Sequence, residues 1–434
     1  MMKKTVAVIG SGMAGLAAAH LLKEAGFTVT IYEALPGRGM DSHSLLLDGG
    51  IVDAPLRVMN PSLWKNTLSL AAHVGVATFS VNTFMSCNWL QDQQLITWFK
   101  SQRTSWGNLP TAASLRFVNR ETLTLIKGIF QLKSALKQFK NSPNQAMSLA
   151  EFASLHAFDP LFWYGTVLPV VNTICTCAPQ HIAAWPAKPL LTFLEKLLDG
   201  EPLLRLHGGT PALVDALSRD IPIVSGSKVQ QVQVEGNQVR VRNARGEQAC
   251  YDYVVVATPT TQLDFLDQQA FASELAILKQ FKFDQGELVI HRDERFMPRQ
   301  RRDWTILNYS MDRQFNQQMF SIWINQIEPT LVGKPAVFQT WNPVFEPQPE
   351  SVISTVKLTR AIVDRHTASW VQQLQQLQQQ PERRVFFCGS WSCDGLPILE
   401  SAVTSALWVA QQLGAPAAFV GKPPLMVNMA GLAR

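Results

Sequence analysis

The stretch KTVAVIGSGMAGLAAAHLLKEAGFTVTIYE, residues 4–33, decides the fold. Residues 4–9 form a short apolar run of the kind buried in parallel sheets. Gly10, Gly12 and Gly15 follow at once, and a helical pattern then continues to a stop at Gly26. A second apolar run, TVTIYE, ends on Glu33. The whole is a βαβ unit whose parts each have a chemical reason. Gly10 allows a tight turn, Gly12 lets the backbone approach a pyrophosphate, and Gly15 permits close packing of helix on strand. Met13 and Ala14 fall in the first helical turn, where free N–H groups and the positive end of the helix dipole favour phosphate. Glu33 stands where a carboxylate accepts hydrogen bonds from ribose hydroxyls. A glycine turn without a ligand is the alternative. The presence of both strands, the helix and the terminal acid together favours a dinucleotide.

The rest of the composition sets bounds. A chain of 434 residues is longer than one core usually organises, so two domains are expected. A hydrophobic content of 47% argues against disorder. The net charge of +5 is too diffuse for a nucleic-acid partner. The cysteines (Cys87, Cys175, Cys177, Cys250, Cys388 and Cys393) show no CxxC pair or zinc spacing, and no metal site is expected. Cys175 and Cys177 read either as a redox pair or as two small buried residues. The first residues enter the fold directly, with no signal-peptide pattern, and no apolar run reaches spanning length. A cytoplasmic protein is expected, with peripheral membrane contact as a second reading.

After Glu33 comes Ala34-Leu35-Pro36-Gly37-Arg38-Gly39-Met40-Asp41-Ser42-His43-Ser44. This run resembles the second glycine motif of flavin-dependent amine oxidases and phytoene-desaturase-like proteins. More closely, it is similar to a bacterial subgroup of NAD/FAD-binding amine oxidoreductases with a Gly-Gly-His-Thr-His-Thr run. Gly39 matches the first glycine of that run and His43 its second histidine, while Met40 and Asp41 replace a glycine and a histidine. The resemblance implies cofactor contacts from Ala34, Gly39, Met40 and His43. Arg38 reads either as a phosphate ligand or as a solvated loop arginine.

Along the chain, Asp48–Asp53 reads as a short strand, and helical spacing begins after Pro61. Residues 77–99 read as a β-ribbon and 112–199 as mainly helical. Within the latter, Arg116, Arg120, Lys127, Lys133, Lys137 and Lys140 lie among apolar residues. They form either a solvated helix face or a surface for a membrane or acidic carrier protein. At residues 205–262 the chain returns to dinucleotide-binding character. Gly208-Gly209-Thr210 opens a helix, alternating strands follow, and VVVAT closes the segment. By resemblance, Val229 lies on the strand that contacts adenine, and Ala257-Thr258 ends where the family approaches the dinucleotide. Residues 263–379 read as sheet plus a helix near 352–379, and the glutamine-rich run at 372–380 as a polar helix end.

Near the end, Val385–Gly389 reads as a strand, a loop follows, and a helix begins after Pro397. In the amine oxidase family such a strand ends in Gly followed by an acid and leads into a helix containing Glu-Gly-Ala. Here Gly389 would approach the ribityl chain, and Ser390 replaces the acid. Leu399 and Ser401 belong to the helix start whose N–H groups would face the pyrimidine edge of the flavin. Cys388 and Cys393 then become lining residues.

The expected fold class is α/β, with a discontinuous Rossmann-like FAD-binding domain (1–60, 200–262 and 380–414). A mixed β-sheet plus helical substrate domain (61–199 and 263–379) and a C-terminal tail (415–434) complete it. The first βαβ unit does not by itself separate FAD from NAD. The extra glycine turn, the two returns to the same domain and the C-terminal resemblance favour FAD. There is no second GxGxxG unit for NADPH and no CxxxxC redox pair near the amino terminus. The expected reaction is therefore oxidation of the substrate itself at a C–N or C–C bond, with oxygen or another electron acceptor. A hydrophobic amine, a partly reduced ring or a lipid-like molecule would fit an aromatic-rich pocket. No catalytic acid or base is assigned, and His43 and His207 each have a structural alternative. Two other functions compete: a membrane-associated desaturase or isomerase of an apolar chain, and a flavin-free binding protein like the GDP-dissociation inhibitors.

Overall fold

The computed structural model describes residues 3–104, 107–112, 115–416, 418–427 and 429. Its organising element is a five-stranded sheet assembled from distant parts of the chain. β1 (Thr5–Ile9) is followed by α1 (Met13–Glu24) and β2 (Thr28–Tyr32). The strand order is Ile223–Val224, β2, β1, Tyr253–Val256, Val385–Phe387, and every neighbouring pair is parallel. Parallel strands require crossovers, and the helices so introduced cover the sheet.

That covering explains the apolar run. Val6 and Val8 point into a core with α1 and the helix Leu399–Gln412. Ala7 and Ile9 point to the other face, into a core shared with a three-stranded antiparallel sheet containing Val229–Glu235. Alternate residues of one strand therefore serve two cores, and neither face tolerates a polar side chain.

A second sheet has eight strands, drawn from residues 85–112 and 283–361. Its order is Val352–Ala361, Phe283–His291, Phe338–Trp341, Gln318–Trp323, Leu307–Met311, Met85–Gln91, Gln94–Thr104, Gly107–Ala112. Leu307–Met311 pairs in parallel with Met85–Gln91, so the sheet is mixed. The helices Arg120–Lys140, Leu149–His156, Leu168–Cys175 and Ala187–Leu198 contribute to the core beneath it.

The expected helix near 352–379 is corrected in its first half. Val352–Ala361 is a strand pairing antiparallel with Phe283–His291, and the helix begins only at Thr367. The cause is visible in the burial of alternate residues: Thr355, Lys357 and Thr359 are exposed, while Val356 is buried. The glutamine run is not wholly polar surface. Gln378 is buried, and its side-chain oxygen accepts a hydrogen bond from the Phe387 N–H at 2.5 Å.

The long helix Arg120–Lys140 buries Leu125, Leu132, Leu136 and Phe139 and exposes its basic residues. Among the described residues, no helix is long and apolar enough to cross a membrane.

Candidate active site

The glycine turn after β1 is built by close approach. Gly10 takes φ +100°, in the left-handed region, and its N–H donates to the Tyr32 carbonyl at 2.8 Å. A Cβ on Gly15 would lie 2.0 Å from the Gly10 carbonyl oxygen, so that position excludes any side chain. Gly12 differs: a Cβ there would meet nothing within 4 Å, because the residue faces an open cavity.

Glu33 joins the two glycine motifs. One carboxylate oxygen accepts the Ser11 N–H at 2.9 Å and the Ser11 hydroxyl at 2.6 Å, and the other accepts the Leu35 N–H at 2.9 Å. The Ser11 hydroxyl oxygen in turn accepts the Gly39 N–H at 2.6 Å. Each carboxylate oxygen can accept two hydrogen bonds, so among the described residues one acceptor position on Glu33 is unused.

The cavity has a volume of about 370 Å³. One side is Gly12, Met13 and Ala14 of the first turn of α1, with Gly39, Met40 and His43 beside them. Ala257 and Thr258 follow the strand Tyr253–Val256, the neighbour of β1 in the sheet, and Gly389, Ser390 and Leu399 complete this part of the lining. The rest of the lining includes Leu56 and Arg57 of the loop after Gly50–Val52, Ile174 of the helix Leu168–Cys175, and Leu358 and Arg360 of the strand Val352–Ala361. Segments separated by hundreds of residues thus line one space.

Several expected site residues stand off that wall. Gly10, Gly15 and Glu33 shape it from behind, and Ala34 is exposed beside them. Arg38 is not a free phosphate ligand. Its guanidinium pairs with Asp41 at 2.5 Å and with Asp215, which ties the second glycine loop to the helix Gly209–Ser218. Asp41, in place of the family's histidine, supplies one of those partners. Val229 is buried in the small antiparallel sheet, although the chain leading to it bonds the Glu33 carbonyl through the Ser227 N–H at 3.2 Å. The Ser401 hydroxyl is buried and turned to the Leu396 carbonyl at 2.5 Å, so it braces the loop instead of facing the cavity. His207 is exposed and off the wall, whereas His43 is on it.

The cysteines are corrected too. Cys388 is fully buried in the core beside α1, where burial pushes its thiol up to about 12. Cys393 is also off the wall. Burial likewise raises Cys175, and pushes Cys177 up to about 12. Thiols held protonated in this way are poor nucleophiles, so the buried alternative stands.

Trp391, Arg57 and Arg360 were missed from sequence, and Glu400, which the resemblance places in the family's Glu-Gly-Ala region, has a different partner. Gly389 is extended, and a Cβ there would lie 2.3 Å from the Trp391 indole nitrogen. The glycine therefore makes room for Trp391, whose N–H donates to the Thr258 carbonyl at 3.2 Å. Glu400 turns away from the cavity and caps another helix, Lys65–His73, accepting the Asn66 and Thr67 N–H groups at 2.9 Å each. Arg360 lies on the strand misread as a helix.

Arg57 and Arg360 carry the positive charge of the cavity. The Arg57 Nε–H donates to the Thr210 hydroxyl at 3.2 Å, and the Arg360 Nε–H donates to the Thr176 hydroxyl. Burial lowers both guanidinium pKa values. For Arg360 the value falls to about 10, with burial the larger cause and the charge of Arg57 the next.

The donor set suits a flavin nucleotide. α1 and the helix Leu399–Gln412 both begin at the cavity, and neither has a side-chain cap among the described residues. Two sets of free N–H groups thus present positive potential to one space. The open space over Gly12 is a cradle that a Cβ would partly fill.

Comparisons agree with this geometry. Residues 13–285 match the model of the family described as flavin containing amine oxidoreductase. Among solved structures, a protein described as a protoporphyrinogen oxidase from Exiguobacterium sp. 255-15 superposes with TM-score 0.67 at 17% identity, over 95% of this chain and 100% of that one. A putrescine oxidase bound to putrescine gives 0.64 at 12% identity, over 96% and 100%. A fatty acid isomerase from P. acnes that produces CLA gives 0.64 at 16% identity, over 94% and 98%. No curated protein sequence matches the chain significantly. At these identities the structural likeness establishes the fold, while the family match covers more than half the sequence and carries the assignment to an oxidoreductase: the chain belongs to the flavin-containing amine oxidoreductase family.

Proposed function

We propose that the protein is an FAD-dependent oxidase or dehydrogenase that removes hydride from a C–N or C–C bond of a small, largely apolar molecule. The observation that carries this reading is the meeting of two uncapped helix N-termini on one cavity whose lining also includes Leu56, Ile174, Leu358 and Ile398. Segments 1–60, 200–262 and 380–414 would supply the FAD side and the remainder the substrate side. Bound FAD would supply the hydride-accepting ring, with oxygen or another acceptor completing the cycle.

The chain's own residues bind and orient. The N–H groups of Met13 and Ala14 offer positive potential to a pyrophosphate, and Glu33 offers its remaining acceptor position to a ribose. The N–H groups at Leu399 and Glu400 would stabilise negative charge on an electron-rich ring edge. Leu56, Ile174 and Leu358 offer apolar surface that would exclude water from the cavity. No side chain is assigned as acid or base: hydride removal from a neutral amine leaves an iminium ion and needs none, whereas forming a C–C double bond also releases a proton, to solvent or to a group on the substrate.

The direct test is anaerobic. Purified protein loaded with FAD is mixed with candidate amines, reduced heterocycles and unsaturated acids, and flavin absorbance is followed. The substrate class that bleaches the flavin defines the reductive half-reaction. A protein that stays colourless after incubation with FAD would overturn the reading and favour a binding protein on the same fold.

A second reading, a membrane-associated desaturase or isomerase, is favoured by the helix Arg120–Lys140. Leu123, Lys127 and Phe130 share one face by helical spacing, and all three are exposed, with Leu123 at 54% and Phe130 at 69%. Apolar side chains flanked by lysines suit an anionic membrane surface. Co-sedimentation with vesicles containing phosphatidylglycerol tests it, since binding that disappears in Leu123→Ser/Phe130→Ser would support surface recruitment.

A further inference from the structure

As a rule, the buried and half-buried arginines of this protein are met by carboxylates. Arg205, almost fully buried, lies 3.3 Å from both Asp53 and Glu328. Arg383 pairs with Glu274 at 2.5 Å and Arg38 with Asp41 and Asp215. Such pairing is what the desolvation of a guanidinium demands.

Arg57 and Arg360 break that rule. Both line the central cavity, and among the described residues neither has a carboxylate partner within ion-pairing distance. Each is oriented through Nε by a threonine hydroxyl, Thr210 for one and Thr176 for the other. A hydroxyl fixes the direction of the fork and leaves its charge uncompensated, so the terminal N–H groups are available to a ligand. The nearest acid to Arg57, Asp53, is already engaged by Arg205 and by the Thr210 N–H at 2.9 Å. Two like charges held near each other in a low-dielectric wall raise each other's energy, and an anion between them relieves it. Leu56, Ile174 and Leu358 surround the pair with apolar surface.

We infer that Arg57 and Arg360 form an anion-binding subsite that selects substrates with a carboxylate on an apolar body and disfavours cationic amines. This deepens the proposed function and rests on its reading of the cavity as the reaction site. A carboxylate matches the planar guanidinium fork bidentately, whereas an ammonium group would meet two positive charges.

The probes are octanoate, octan-1-ol and octylamine at pH 7.5, titrated into FAD-loaded protein by calorimetry, with the flavin spectrum recorded in parallel. The three share one chain length and differ in charge. Octanoate is expected to bind about tenfold or more tightly than octan-1-ol, and octylamine more weakly than either. Arg57→Gln and Arg360→Gln should each weaken octanoate by about tenfold or more while leaving octan-1-ol within about twofold. Arg57→Lys and Arg360→Lys should recover part of the loss, because charge returns without the planar fork. Circular dichroism and the melting temperature establish that each variant is folded.

Octylamine binding as tightly as octanoate to the wild type would overturn the inference, and that result needs no variant. So would folded Gln variants that keep wild-type octanoate affinity. Loss of flavin from both Gln variants with octanoate heat unchanged would also overturn it, assigning the arginines to the cofactor. If the wild type takes no flavin, the proposed reaction fails, but calorimetry still scores the arginine subsite on its own.

Discussion

A single carboxylate oxygen of Glu33 accepts both the backbone N–H and the hydroxyl of Ser11, at 2.9 and 2.6 Å. Strand end and glycine turn are thereby locked together 22 residues apart in sequence. Glu33→Gln puts an NH₂ group among N–H donors that need an acceptor. We expect a loss of about 1–3 kcal/mol in urea denaturation, together with weaker FAD binding in a fluorescence titration. Unchanged stability would mean that the network is not maintained in solution.

The two inner glycines should separate folding from binding. Gly15→Ala places a methyl 2.0 Å from a backbone carbonyl, which cannot yield without moving the turn. Its expected cost is about 2–4 kcal/mol, read as a lower denaturation midpoint. Gly12→Val enters open space at an extended backbone and should melt near the wild-type temperature. Yet it fills the cradle, so its flavin content after purification should fall sharply.

His291 should give the protein an acid-sensitive step. Its ring is buried in the larger sheet, meets the Thr340 hydroxyl at 2.8 Å and accepts the Asp293 N–H at 3.1 Å. Burial lowers its pKa from 6.5 to about 4, with Asp293 opposing the shift. Between those values the unfolded chain binds a proton that the native chain refuses. Stability from this group is therefore present above pH 6.5 and is lost as pH falls toward 4. The full step is at most about 3 kcal/mol. Chemical denaturation across this pH range should show the slope, and His291→Asn should flatten it.

Ser390 stands on the cavity wall where the family places an acid. Ser390→Asp restores that acceptor, and FAD is expected to remain bound with affinity within about tenfold of wild type. Loss of flavin in a folded Ser390→Asp protein would show that the C-terminal loop does not face the cofactor as proposed.

Much of this architecture was legible from local pattern. The spacing of Gly10, Gly12 and Gly15 encodes a turn whose geometry depends on the absence of Cβ atoms, and that is a property of the residues themselves. The apolar runs at residues 5–9 and 253–256 encode strands buried on both faces. The strand–loop–helix from Val385 onward was readable for the same reason. Less legible was Val352–Ala361, where the alternation was weak and a following helix drew the reading toward its own period.

The sequence by itself determined the βαβ unit, the position of Glu33 and the order in which the chain returns to the first sheet. Only the tertiary structure decided how the charges are shared. Arg38 reads either as a phosphate ligand or as a solvated loop arginine until Asp215, 177 residues later, arrives beside it. Glu400 reads as part of a cofactor helix until the helix Lys65–His73 takes both its oxygens. Arg57 and Arg360 stand in no local motif, and only folding places them on one cavity with threonines in place of acids. The physical reason is one of range. Backbone conformation and amphipathic period depend on neighbours in sequence, but the partner of a charge depends on which distant elements pack together, and that is set by the core.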